Sequence, residues 1–191
     1  DADFMPGRDF LNNLIPLIIA DPKACCVQGR WGHVNREESW ITQGLSLGID
    51  GHFGVEQPGR AWGGYLLNFN GTAGIWRRAA IDDPSVGGWD GDTLTEDLDL
   101  SYRAQMAGWR IIYHVDELAP AEIPADPNAL KTQQRRWATG SIQCARKLLG
   151  RVWTCPRLSI AQKLEGTIHL CGYAVNVMML LMALFGRPLA A

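Results

Sequence analysis

Short apolar runs alternate with helical stripes along most of the chain, and this alternation narrows the fold more than any other feature. Phe10, Leu11, Leu14, Ile15 and Ile18 form a stripe over Asp9 to Ala20, closed by Asp21-Pro22. Ala24 to Gln28 reads as a buried strand, and Glu37 to Val55 as a helix loosened by Gly44, Gly48, Gly51 and Gly54. Tyr65 to Phe69 is a further strand, ending at Asn70-Gly71-Thr72, with Ile75-Trp76-Arg77-Arg78 beyond it and then a loop carrying Pro84, Gly87 and Gly88. Thr93 and Thr95 are N-caps for a helix running to Gly108, and Glu96 completes a capping box with Thr93. Trp109 to His114 and Leu118 to Ile123 read as strands, and Asn128 to Leu149 as a helix stopped by Gly150. Strands interleaved with helices imply an α/β layer fold, in which ligands sit beyond the carboxyl ends of the strands. Acidic loop residues are expected to gather there.

Composition excludes some functions. The 191 residues carry a formal net charge of -2, so no basic field points to nucleic acid. Five cysteines without Cys-x-x-Cys spacing fit neither a disulfide framework nor a zinc site, and read as reduced, buried thiols in a protein facing the cytosol. Asp1-Ala2-Asp3 opens the chain with no hydrophobic strand ahead of it and no initiator Met, so a piece cut from a longer protein is expected. From Ile168 to Phe185 the polar residues are His169, Tyr173 and Asn176, a stretch at the short end of what spans a bilayer. Ile160 to Thr167 mixes polar and apolar residues as an interfacial helix would. A buried helix of a soluble protein would show the same hydropathy.

Four clusters have the right residue types for chemistry. Asp1 and Asp3 stand on alternate positions, so on a turn both carboxylates reach one oxygen-seeking cation. Thr95-Glu96-Asp97-Leu98-Asp99 opens a helix, where acids are favoured by the dipole, and Asp97 there is a candidate general base. Gln133, Arg136 and Trp137 share a helix face by their spacing, and an amide, a guanidinium and an indole suit a wall for phosphate and sugar better than a core stripe. Asn70-Gly71-Thr72 offers a tight turn with free backbone N–H groups.

In their order, these clusters resemble the processive family-two glycosyltransferases, a group that includes cellulose, chitin and hyaluronan synthases. Val27-Gln28-Gly29-Arg30-Trp31, Phe69 to Arg77 and Gln133-Gln134-Arg135-Arg136-Trp137 look most like the cellulose-synthase-like mannan and glucan synthases and their bacterial relatives. The resemblance implies a GT-A type α/β domain in its acceptor-side portion over residues 1–150, then an interfacial and membrane-associated helical segment over 151–191. It implies an inverting, metal-dependent hexosyltransferase that takes a UDP- or GDP-sugar and extends a polysaccharide. Asp1 and Asp3 would hold Mg²⁺ or Mn²⁺ and the donor diphosphate, with Gln133 and Arg136 at the diphosphate end. Asp97 would be the base, supported by Glu96. Trp137, Phe69, Asn70, Gly71 and Thr72 would meet the acceptor glycan. An integral membrane protein with a cytoplasmic catalytic domain, lipid contacts and accessory export subunits is expected. Single-sugar transfer to a lipid, as in ceramide glucosyltransferases, and a non-catalytic membrane scaffold are the rival readings.

Overall fold

A computed structural model describes residues 3–186. Three strands form a mixed sheet in the order β2-β1-β3. The central β1 (Ala24–His33) pairs antiparallel with β2 (Gly74–Trp76) and parallel with β3 (Arg110–Ala121). Its first residues, Ala24 to Val27, are fully buried, as befits a strand covered on both faces. Helix α1 (Phe10–Ala20) covers one face through Phe10, Leu14 and Ile18, which pack with Ala24, Val27 and Ala119. The other face carries Cys25, Cys26 and Ile111 against Leu100 and Ala104 of α5 (Glu96–Ala107). A third layer joins α5 to α6 (Pro127–Thr154) and α7 (Ile160–Leu170) through Tyr102, Cys144, Leu148, Val152 and Leu170. All five cysteines are free, four of them buried, as expected.

Several elements differ from the sequence reading, each for a visible reason. The helix from position 37 onward is α2 (Trp40–Gly51), capped by Ser39, and it survives its glycines. It continues through a π-helical turn, His52–Glu56, into α3 (Gln57–Trp62). Tyr65 to Phe69 is extended but joins no strand. Side chains satisfy its backbone instead: Leu67 N–H donates to Gln105 Oε1 at 2.9 Å, Gln105 Nε2 donates to the Leu67 carbonyl, and Phe69 N–H donates to Ser101 Oγ. The short helix α4 (Arg78–Ile81) follows β2.

The two strands expected between Trp109 and Ile123 are one. Gly29 pairs with His114 and Arg30 with Leu118, so the residues between bulge out of β3. Gly29 permits the bulge, since a Cβ there would lie 2.8 Å from the Glu117 carbonyl oxygen. The capping box at Thr93 does not form: Thr95 is the N-cap of α5, without a side-chain cap bond, while Gly108 closes the helix at φ +106°. Gly150 does not stop α6, which runs on to Thr154 and ends where Cys155 turns extended ahead of Pro156. The apolar stretch expected as one span is broken between α7 and α8 (Ala174–Phe185), which meet at a 67° bend. No single described helix is long and apolar enough to cross a membrane, although the bent pair passes that test together. No residue of α8 is buried.

Candidate active site

The carboxyl end of the sheet opens into two adjoining cavities, and Asp97 lines both. One, of about 230 Å³, is polar: Asp3, Glu96, Asp97 and Glu122 face it with Arg136. The other, of about 580 Å³, has an aromatic side made by Trp31, Phe53 and Trp137, while His52, Glu56, Asn68 and Asn70 bring polar atoms. Trp31, Asn70, Thr95, Gln133 and Trp137 are common to both linings.

The position of Asp97 follows from the first turn of α5. Its Oδ1 accepts the Leu98 N–H at 2.8 Å, and Ser101 Oγ donates to its carbonyl at 2.6 Å. The turn at Asn70-Gly71 comes against the carboxylate: a Cβ on Gly71, whose φ is +80°, would lie 3.1 Å from Asp97 Oδ2. Desolvation in this crowded place pushes the Asp97 carboxyl up to about 6, with Glu96 adding to the rise and the Leu98 N–H and Arg136 opposing it. A carboxyl poised there is a competent proton acceptor near neutral pH.

Helix α6 supplies the facing wall. Asp126 caps it by accepting from the N–H groups of Asn128 and Ala129. Gln133, Arg136 and Trp137 do share one face toward the cavities, while the neighbouring Arg135 is exposed and lines neither. Gly140 sets how closely α6 approaches α5, because a Cβ there would meet Thr95 Cγ2 at 2.5 Å and Thr95 N at 2.8 Å. Trp137 is half-buried, with its ring 6.4 Å from that of Trp31, which in turn stacks on Phe53 at 5.1 Å.

The turn expected to meet an acceptor divides. Asn70 and Gly71 reach the cavities, whereas Phe69 is only 5 % exposed and packs edge-on against Trp76 in the core. Thr72 lines neither cavity; its carbonyl accepts from Gln28 Nε2 at 3.0 Å. Gln28, buried in β1, also accepts the Asn70 N–H through Oε1 at 3.1 Å, so one side chain holds both ends of the turn.

Asp1 lies outside the described residues. Asp3 is exposed, beside Phe4, which bridges to Ala121 at the end of β3. Among the described residues no three His, Cys, Asp or Glu side chains converge as a closed metal cage. The polar lining nevertheless holds four carboxylates against one guanidinium. A diphosphate would be repelled there without a cation, and Mg²⁺ or Mn²⁺ in phosphate chemistry needs only one or two carboxylates, taking its other ligands from phosphate and water. The carboxylates of this lining therefore fit such an ion, and Asp3 is the exposed one of the expected pair that the structure describes.

Trp31, Phe53, His52, Asn68 and Glu122 are site residues that motif order did not single out as functional. Phe53 and His52 lie on a helix in sequence and reach the cavity through its π-helical turn, which no periodicity announces.

The sequence matches the family description "Glycosyl transferase family group 2" over residues 1–190. It is 37% identical over 163 residues to glucomannan 4-beta-mannosyltransferase 7 of Arabidopsis thaliana, covering 85% of this chain and 29% of that one. It is 39% identical over 165 residues to glucomannan 4-beta-mannosyltransferase 1 of Cyamopsis tetragonoloba, covering 86% and 31%. The chain thus spans less than a third of the length of these relatives. Among solved structures, a mannosyltransferase from Pyrobaculum calidifontis in complex with GDP-Man and Mn²⁺ superposes with a TM-score of 0.59 at 19% identity, over 91% of this chain and 43% of that one. That likeness carries the fold, a GT-A-like arrangement of mixed sheet and helices.

Proposed function

Because the chain belongs to glycosyl transferase family group 2, we propose that it is the acceptor-side part of an inverting hexosyltransferase that extends a polysaccharide at a membrane. The observation that carries this reading is the place of Asp97, on the wall shared by an acidic cleft and an aromatic cavity. The cleft suits a nucleoside diphosphate with its cation, and the cavity suits a glycan whose apolar faces lie on indoles. The names of the mannosyltransferase relatives favour a mannosyl unit, and the ligands of the solved mannosyltransferase favour GDP-mannose and Mn²⁺.

In this mechanism Trp137 and Trp31 orient the terminal sugar of the acceptor, and Asn70 donates to one of its hydroxyls. Asp97 takes the proton of the attacking hydroxyl as that oxygen adds to the anomeric carbon from the face opposite the diphosphate, which inverts configuration. Glu96 lies beside Asp97 and raises its proton affinity. Arg136 and Gln133 face the departing diphosphate and stabilise its new charge. Asp3, and in this reading Asp1, would hold a divalent cation, whose charge would help neutralise the departing diphosphate.

The division into a transferase part (1–150) and an interfacial, membrane-associated part (151–191) belongs to the same proposal, as does a catalytic face toward the cytoplasm with export subunits as partners. The wholly unburied apolar surface of α8, with Met178, Leu180, Met182 and Phe185 exposed, supports a lipid contact. The test is incubation of the full-length protein with labelled UDP- and GDP-sugars and Mn²⁺ or Mg²⁺, followed by linkage analysis. A β-linked polymer from an α-linked donor is expected. Transfer from no donor, or a product with retained configuration, refutes the proposal.

A further inference from the structure

The π-helical turn does more than carry Phe53 to the cavity wall. Its first and last residues, His52 and Glu56, lie together, with His52 Nδ1 at 2.8 Å from Glu56 Oε2. Glu56 is fixed in turn by Arg60 of α3 at 3.3 Å, and Arg60 by Glu165 of α7 at 3.1 Å. The hydrogen bond from His52, with Arg60 assisting and desolvation opposing, holds the Glu56 carboxyl down at about 2. An ionised carboxylate only accepts, so the imidazole nitrogen facing it must carry its proton. In the neutral ring the opposite nitrogen, Nε2, is then an acceptor.

That nitrogen lies 3.3 Å from Asn70 Nδ2. On its other side the Asn70 amide oxygen accepts from Gln57 Nε2 at 2.8 Å, and Gln57 is fully buried. The amide is thus clamped at both ends in one orientation. Its second Nδ2–H has no partner among the described residues, and Asn70 lines both cavities. Reversal of the amide would put its oxygen against the acceptor nitrogen of His52 and its N–H groups against the Gln57 amide nitrogen.

We infer that His52 is a positioning residue for the acceptor glycan: as the Nδ1–H tautomer set by Glu56, it turns the Asn70 amide so that one N–H faces the cavity as a donor to a sugar hydroxyl. The inference rests on the transferase reading above, and it assigns acceptor recognition to a residue pair two motifs away from the base. Sugars whose hydroxyl at that point is absent or turned away would lose this contact, so the pair bears on acceptor choice as well as affinity.

The experiment uses the full-length protein with a defined oligosaccharide acceptor. His52→Phe keeps the ring and its edge contact with Phe53 (4.9 Å between centroids) but removes both nitrogens. Acceptor KM should rise roughly three- to tenfold, the worth of one neutral hydrogen bond, while donor KM, donor hydrolysis and melting temperature hold. His52→Gln, whose amide oxygen can still accept from Asn70, should restore acceptor KM. On an Asn70→Ala background His52→Phe should add nothing, because the two act as one unit. Additive losses in that cycle, or a raised acceptor KM in His52→Gln, overturn the inference while leaving the transferase reading intact. Absence of transfer by the unmodified protein overturns both.

Discussion

Asp97→Asn separates the chemistry of this site from its energetics. In the folded protein the carboxyl ionises at about 6 against an ordinary 3.8, chiefly through desolvation. Holding it ionised at pH 8 therefore costs up to about 3 kcal/mol. The folded state binds this proton more tightly than the unfolded chain does, so the group's contribution is most favourable below about pH 4 and is lost as pH rises through about 6. An amide of the same shape never ionises and escapes the cost. The variant should then be more stable than the parent at pH 8, by several degrees in Tm at roughly 2–4 °C per kcal/mol for a chain of this size, and no more stable at pH 4. Over the same substitution kcat should fall by roughly 10² to 10⁴ with donor affinity retained. Circular-dichroism melts at the two pH values, beside transfer assays with labelled donor, read both effects. A stability gap of equal size at both pH values would show that burial does not act on the charge of Asp97. A kcat loss under about tenfold would show that Asp97 only begins a helix.

Trp137→Ala should change Tm little, since the indole is half-buried and belongs to no core cluster, while transfer falls much further than donor hydrolysis and Trp137→Phe recovers part of it; equal loss of both reactions would refute acceptor stacking. Gly140→Ala should force α6 and the Thr95 turn apart, costing about 1–3 kcal/mol as overpacking and lowering kcat. Thr95→Ala in that background removes the contacts at 2.5 and 2.6 Å and should restore part of both; no recovery would place the strain elsewhere. Asp3→Asn should leave Tm unchanged, because the residue is exposed, and raise the Mn²⁺ or Mg²⁺ concentration needed for half-maximal transfer; an unchanged metal titration would remove Asp3 from the cation site.

Legibility in the sequence followed the range of the forces involved. α1 was readable because Phe10, Leu14 and Ile18 repeat with the helical period, and the face of Gln133, Arg136 and Trp137 because helix geometry alone aligns them. Tyr65 to Phe69 has the composition of a strand but not its pairing, because its backbone partners are Gln105 and Ser101, side chains distant in sequence. Gly150 looked like a stop because its local helix propensity is poor, but Leu148 and Val152 bury on either side of it and tertiary packing carries the helix through. Phe69 stands in a motif that reaches the site, yet the alternation of the extended chain turns its ring inward and gives the cavity to Asn70. The π-helical turn leaves no periodic trace in the sequence, so nothing in the helical spacing points to the His52–Glu56 pair.

These particulars share a physical cause. Desolvation raises the Asp97 carboxyl to about 6, and two glycines let neighbouring segments close in on it and on the start of its helix. Gly71 brings the turn within reach of Asp97 Oδ2, and Gly140 lets α6 close on Thr95, two residues ahead of the base. A methyl group at Gly71 would press on the carboxylate, and one at Gly140 would force α6 away from the Thr95 turn. The same closeness sets the acidic cleft beside the aromatic cavity with a single carboxylate between them. In the proposed mechanism donor and acceptor meet at Asp97, so a substitution at Gly71, whose Cβ would lie 3.1 Å from its Oδ2, should disturb proton affinity and substrate alignment together.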